Sequence, residues 1–276
     1  MLVEPAQLSS QLDAPDLRIV DASWYLPAVG RDGRAEYEAG HLPGAVYLDL
    51  STDLADPSAP VRNTVAAPAA LARAFERAGI GTDHRVVVYD RQNGYSAGRI
   101  WWVLQYAGHS RVALLHGGFE RWVAEGREVT RDIPSRPVAK FAAAPRPHWL
   151  RTRDDVLDIV QRGGAAIVDA RSPTRFRGEE PEKTRNAGHI PGSRNVPYAL
   201  NWTDEGGAFR EPAALRQAYE EAGVRWDEPV VTTCGSGVTA SLAAFALTWL
   251  GHRRIAVYDG SWAEWGDDDD LPYESS

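Results

Sequence analysis

The sequence contains a single cysteine, Cys234, among 276 residues, and no apolar run of about 18 residues. A lone cysteine excludes an internal disulfide and suits a reducing compartment, where a thiol stays available for chemistry. Without a long apolar run there is no membrane-spanning helix of the usual kind. The N-terminal stretch MLVEPAQLSSQLDAPDLRIV also lacks the basic-then-apolar order of a secretory leader, so a cytoplasmic location is expected. Basic charge is scarce as well: 30 Lys and Arg stand against 38 Asp and Glu, a net charge of −8. This makes nucleic acid and anionic membrane surfaces poor partners. No His, Cys and carboxylate cluster has metal-ligand spacing, and neither metal nor cofactor is expected.

The chain is long enough to bury a sizeable core, with 43% hydrophobic residues, and it repeats itself. IVDASWYLPAVGRDGRAEYEAGHLPGAVYL from Ile19 returns as IVDARSPTRFRGEEPEKTRNAGHIPGSRNV from Ile167 without a gap. Farther on, RVVVYDRQNGYSAGRIWWVLQYAGHSRVALLHGGFERW from Arg85 answers EPVVTTCGSGVTASLAAFALTWLGHRRIAVYDGSWAEW from Glu228. The halves meet in the Pro-rich segment Asp132 to Leu150, which gives domains of 1–140, lacking the cysteine, and 141–276, carrying it. In each half, short β-branched runs such as Val86-Val87-Val88-Tyr89 alternate with helical patterns ending at glycine. That alternation predicts an α/β fold, a mainly parallel sheet flanked by helices, formed twice.

Duplication supplies an internal control: shared features belong to the fold, and unshared ones are candidates for function. The motifs around His41 and His189, each followed by an apolar residue and Pro-Gly, are therefore read as structural, as are Trp122 and Trp265. Cys234 has Asp90 as its counterpart. The thiol follows the apolar run Val230-Val231-Thr232-Thr233 and precedes a helix, with Gly235 and Gly237 between. Such a turn curls successive N–H groups inward and adds the helix N-terminal partial charge, which favours a nucleophilic thiolate. The second half alone also carries Arg171, Arg175, Arg177, Lys183 and Arg185, opposite Ser23, Pro27, Val29, Ala35 and Tyr37. Five added cations beside the thiol point to an anionic substrate, because a guanidinium matches a carboxylate or sulfonate with two hydrogen bonds.

Three other motifs compete. Gly235-Ser236-Gly237-Val238-Thr239-Ala240 fits a dinucleotide fingerprint, but only 17 residues follow Asp259, too few for the rest of such a unit. Gly94-Tyr95-Ser96-Ala97-Gly98 fits a nucleophile elbow, but a hydrolase needs one undivided fold, so Ser96 is read as a helix cap. A cysteine phosphatase needs an arginine six residues after the cysteine, where Ala240 stands.

The motifs AGHLPGA, AGHIPGS, YDGSWAEW and the loop CGSGVTA resemble the tandem-domain rhodanese superfamily of sulfurtransferases over nearly the whole chain. The loop is most similar to that of 3-mercaptopyruvate sulfurtransferases. The resemblance implies two rhodanese-like domains, with Cys234 carrying a persulfide cradled by the N–H groups of Gly235, Ser236, Gly237, Val238 and Thr239. It further implies Arg175 on the substrate carboxylate, Arg185 or Lys183 as its second cation, and Ser236 relaying a proton. An interdomain acid is expected at Asp49 or Asp53; the partner histidine of the family has no match in LDLSTDLADPSAPVRNT. The expected donor is 3-mercaptopyruvate, with thiosulfate as the alternative. The expected acceptor is cyanide or a thiol such as thioredoxin. A persulfide carrier with little turnover is the reading from a different functional class.

Overall fold

The computed structural model describes residues 1–203 and 208–275. Among these the chain forms two compact units. One comprises Met1–Pro57, Val65–Arg146 and residues 208–209; the other comprises Ser58–Thr64, Pro147–Thr203 and residues 210–275. Each unit thus includes a short segment from the opposite half of the sequence.

The described residues form ten strands, the central ones on the apolar runs: β1 Leu2–Val3, β2 Leu17–Asp21, β3 Ala45–Tyr47, β4 Arg85–Tyr89, β5 Val112–Leu115, β6 Leu150–Arg151, β7 Ala166–Asp169, β8 Arg194–Asn195, β9 Val230–Thr233 and β10 Ile255–Tyr258. They make two five-stranded sheets of the same order, β1-β5-β4-β2-β3 and β6-β10-β9-β7-β8. Every pairing is parallel. Helices cover such sheets, so central strands are apolar continuously rather than alternately, as in the fully buried β7, β9 and β10. In the first unit Leu17, Ile19, Tyr37, Val87 and Trp122 share a core. Val156, Ile167, Val231, Tyr258 and Trp265 do so in the second.

The repeated histidines serve the fold. His41 forms an isolated antiparallel bridge with Thr130, as His189 does with Glu274. Their Nδ1 atoms lie 2.8 Å from the carbonyl oxygens of Tyr37 and Phe176, on whose rings the imidazoles stack. Trp122 and Trp265 are buried, and each donates its indole N–H to a carbonyl at 2.7 Å, of Glu128 and Pro272 respectively. The Pro-rich segment is stapled to the first unit: Phe141 packs on Phe75, and Ala144 donates to the Ala107 carbonyl at 3.0 Å. Gly108 is required beside it, because at φ 101° a Cβ would lie 2.3 Å from the Ala144 oxygen.

Candidate active site

Parallel sheets gather functional groups at the carboxyl ends of their strands. In the second unit β7 ends at Asp169, in register with Thr233 at the end of β9, and Cys234 follows directly. Cys234 is 2% exposed. Gly237, at φ 77°, turns the chain into the helix Val238–Trp249, ten of whose residues are buried. That helix is apolar on all sides and so holds the loop against the sheet centre. Ser236 lies partly exposed at the middle of the loop.

The loop is braced by the segment after β10. Cys234 and Gly235 accept hydrogen bonds through their carbonyls from the N–H groups of Trp262 (3.0 Å) and Ala263 (2.9 Å). The Cys234 N–H donates to Ser261 Oγ at 3.1 Å, and that hydroxyl donates to the Tyr258 carbonyl at 2.8 Å. Ser261 holds φ 52°, a left-handed conformation uncommon for a residue with a Cβ. Its counterpart is Gly118, at φ 56°. The cysteine half therefore adopts a strained backbone that the other half avoids, and gains a hydroxyl on the amide of Cys234.

Asp90 shows what this kind of loop binds. Its buried carboxylate accepts the N–H groups of Gln92 (3.0 Å), Gly94 (2.7 Å), Ser96 (2.8 Å) and Ala97 (2.9 Å), together with the Ser96 hydroxyl (3.0 Å). The loop after β4 is a ring of donors closed on an anion, a nest aided by the positive φ of Asn93 and Gly94. Ser96 makes no side-chain cap bond; its hydroxyl serves Asp90 instead of the helix Ala97–Tyr106.

The five cations of the second half divide sharply. Arg171 has a wholly buried side chain that is committed internally: it binds Asp169 (2.7 Å), Glu182 (3.1 Å) and the Gly188 carbonyl (2.7 Å). It organises the fold beneath the loop rather than meeting a substrate. Arg177 pairs with Glu179 at 2.7 Å. Arg185 is 64% exposed and pairs with Asp269 at 2.9 Å, and Lys183 is exposed. Neither is brought to the cysteine loop by any contact among the described residues of this unit.

Arg175 is the cation at the loop. A Cβ on Gly235 would lie 3.0 Å from its Nη2 and 3.5 Å from its Nη1, so the guanidinium end rests on the backbone next to Cys234. Its other edge is held by Glu182, through Nε at 2.8 Å and Nη2 at 2.9 Å. Burial opposes the Arg175 charge, but the Glu182 hydrogen bonds and charge, followed by the charges of Cys234 and Asp169, hold its pKa above the ordinary guanidinium value. Two residues escape sequence reading here. Glu182 looks like one of several solvated acids, and only space shows it clamped between two arginines; Ser261 sits in a motif whose partner position holds glycine.

Asp49 and Asp53 belong to the first unit, where they brace one turn. Asp49 Oδ1 accepts from the Ser51 and Thr52 amides, and Asp53 Oδ2 accepts from the Asp49 amide at 2.9 Å. Asn63 is buried at φ 67° within Ser58–Thr64, the segment counted with the cysteine unit. Among the described residues no His, Cys or carboxylate group of three could hold a metal ion, and no helix is long and apolar enough to cross a membrane.

A family model described as "Rhodanese-like domain" matches residues 4–125 and 152–268. The chain is 35% identical over 272 residues to the 3-mercaptopyruvate sulfurtransferase of Homo sapiens, covering 96% of this chain and 91% of that one. It is 39% identical over 257 residues to the thiosulfate sulfurtransferase of Cricetulus griseus, covering 91% and 85%. Among solved structures, SseA from Escherichia coli, described with the 3-mercaptopyruvate sulfotransferases, superposes with a TM-score of 0.87 at 34% identity, covering 95% and 98%. A duplicated parallel sheet, with the single cysteine opening the loop after β9 and an aspartate clasped by the twin loop after β4, thus agrees with sequence similarity along nearly the whole chain: it belongs to the rhodanese family, with two rhodanese-like domains in tandem.

Proposed function

We propose that this protein is a sulfurtransferase that moves sulfane sulfur from 3-mercaptopyruvate, through a persulfide on Cys234, to cyanide or a thiol acceptor. The observation that carries the proposal is the seating of the Arg175 guanidinium on Gly235, beside the only cysteine. The relatives named for this activity support the choice of donor.

Arg175 binds the donor carboxylate through the edge that Glu182 leaves exposed, and so directs the donor sulfur at Cys234. The Cys234 thiolate attacks that sulfur. Its carbon–sulfur bond breaks, the electron pair leaves with pyruvate as the enolate, and the enolate takes up a proton, with Ser236 as the relay. Cys234 retains the sulfur as a persulfide, whose negative charge the loop N–H groups from Gly235 to Thr239 accept, as the loop after β4 accepts the Asp90 carboxylate. An acceptor nucleophile then attacks the outer sulfur, and the Cys234 thiolate leaves. Asp49 and Asp53 are given no step, and Arg185 and Lys183 no contact with the donor. The single free thiol supports a reducing location such as the cytoplasm.

Thiosulfate is the second donor, supported by the thiosulfate sulfurtransferase relatives and by the ability of the same guanidinium edge to take a sulfonate. Thiocyanate formation from cyanide, measured with both donors in parallel, tests the assignment. A kcat/KM at least about tenfold higher for 3-mercaptopyruvate is expected, a difference of roughly 1.4 kcal/mol in the transition state. The reverse ratio would make thiosulfate the donor. Absence of turnover with either, while Cys234 still accepts sulfur, would replace the enzyme with a carrier, and a Cys234→Ser chain that still loads sulfur would overturn the proposal.

A further inference from the structure

At the opposite end of the second sheet from Cys234, where β6, β7, β9 and β10 begin, lies a cavity of about 500 Å³. Its walls include Ile159, Ala165, Val231 and Ile255, and its basic side chains are His148, Arg151, Arg253 and Arg254. Among the described residues no acidic side chain lines it. Among the described residues, none of the three arginines forms an ion pair with a carboxylate. Arg151 donates to the Leu150 carbonyl and Arg254 to the Asp227 carbonyl. The Asp227 carboxylate is itself held by Arg225, whose hydrogen bond and charge lower its pKa before the more distant Arg254 contributes. Three unpaired guanidinium groups around one apolar hollow are unusual in a chain of net charge −8.

The duplication shows what is missing. Arg254 corresponds to Arg111: each carbonyl accepts a hydrogen bond at 2.8 Å from a residue near the start of the neighbouring central strand, Val230 in β9 and Val86 in β4 respectively. In the first unit this corner is filled by a carboxylate. Asp16 pairs with Arg85 at 2.9 Å and with Arg111 at 3.5 Å. In the gap-free alignment Asp16 falls on Gly164, and Pro229 stands where Arg85 would be. Both Gly164 and the preceding Gly163 have open space where a Cβ would lie. The helix Arg153–Arg162 ends at this mouth, where the Gly163 N–H caps the Ile159 carbonyl at 2.8 Å. The second unit has therefore lost the internal carboxylate, kept the facing arginine and added Arg253 beside it.

We infer that this cavity is a binding site for an amphipathic organic carboxylate, whose head group takes the place occupied by Asp16 in the first unit and whose apolar body lies against Ile159 and Val231. The volume falls within the range of small-molecule pockets, and an apolar wall with a few convergent charged groups is their usual lining. The carboxylate meets guanidinium groups in the geometry they favour.

The test uses the full chain and straight-chain carboxylates from hexanoate to decanoate, titrated calorimetrically. One site is expected, tightening about fourfold per added methylene, as burial of each methylene dictates. Nonyltrimethylammonium, with the same tail and the opposite charge, should bind at least about tenfold more weakly than decanoate. The Arg253→Ala/Arg254→Ala double variant should weaken decanoate at least about tenfold while leaving sulfur loading of Cys234 and the thermal melt unchanged. Should the double variant misfold, Arg253→Ala alone, at an exposed and unpaired side chain, gives the same direction of change. Equal binding of the cationic tail, indifference to chain length, unchanged affinity in the variants, or no binding of decanoate at millimolar concentration would each overturn the assignment.

Discussion

Ser261 allows stability and activity to be separated by two substitutions at one position. In the native chain its Oγ accepts the Cys234 N–H at 3.1 Å while its backbone holds φ 52°. Ser261→Ala removes the hydroxyl and retains the strain. The amide of a 2% exposed cysteine then loses its partner, a loss of about 1–2 kcal/mol in stability. Ser261→Gly removes the same hydroxyl but relieves the left-handed conformation, which costs a residue with a Cβ roughly 1–2 kcal/mol. The two terms nearly cancel, so Ser261→Gly should unfold within about 1 kcal/mol of the native chain, and Ser261→Ala below both. Activity should follow the hydroxyl instead. Both variants release the Cys234 backbone, and loss of a bond worth about 1 kcal/mol corresponds to roughly fivefold to tenfold slower transfer. Urea unfolding monitored by tryptophan fluorescence, with sulfur-transfer kinetics on the same samples, provides both numbers. Native activity in Ser261→Gly, or equal stability of the two variants, would refute the reasoning.

Glu182→Gln should raise KM for 3-mercaptopyruvate at least about tenfold with a smaller change in kcat, because the clamp that aims Arg175 is lost. It should also cost roughly 3 kcal/mol, at the low end for breaking a buried pair, since Arg171 keeps Asp169; an unchanged KM in steady-state assays would count against the clamp. Asp90→Ala leaves a ring of donors without its anion and should destabilise the chain by about 3 kcal/mol, while transfer per folded molecule stays at the native level. Burial lowers the pKa of His84, His109 and His252, so the folded state keeps these imidazoles neutral where the unfolded chain takes up protons. Their contribution is therefore complete above about pH 6.5 and is lost as pH falls through the unfolded value toward the folded ones. Urea midpoints that do not decline between pH 7.5 and 5.5 would contradict this.

Much of this organisation is legible in the sequence because the chain compares itself with itself. The apolar runs mark β4, β5, β7 and β9, and the helix Ala97–Tyr106 stops just before Gly108, as its pattern predicts. The contrast of Cys234 with Asp90 marks the loop. Pairing through space is harder to read. A run holding Arg171, Arg175, Arg177, Glu179, Glu180, Glu182, Lys183 and Arg185 has many self-consistent matchings, and the sequence does not rank them. Burial does: it leaves Arg171 no solvent and forces it onto Asp169, whereas Arg185 reaches the acidic run after Trp265. The strain at Ser261 is equally silent, since φ is set by the strand and helix on either side.

The carboxylate inside the first loop bears on how the whole chain meets soluble anions. A carboxylate tethered to the backbone by one methylene competes at an effective concentration no solute reaches, so sulfite, sulfate or a donor cannot displace Asp90 from its five donors. Two loops of common descent thus respond to the same solution differently: one is permanently occupied by its own carboxylate, and in the proposed mechanism the other holds a thiolate and a persulfide in turn. Titration with an anionic inhibitor of transfer should accordingly saturate these loops at one equivalent per chain.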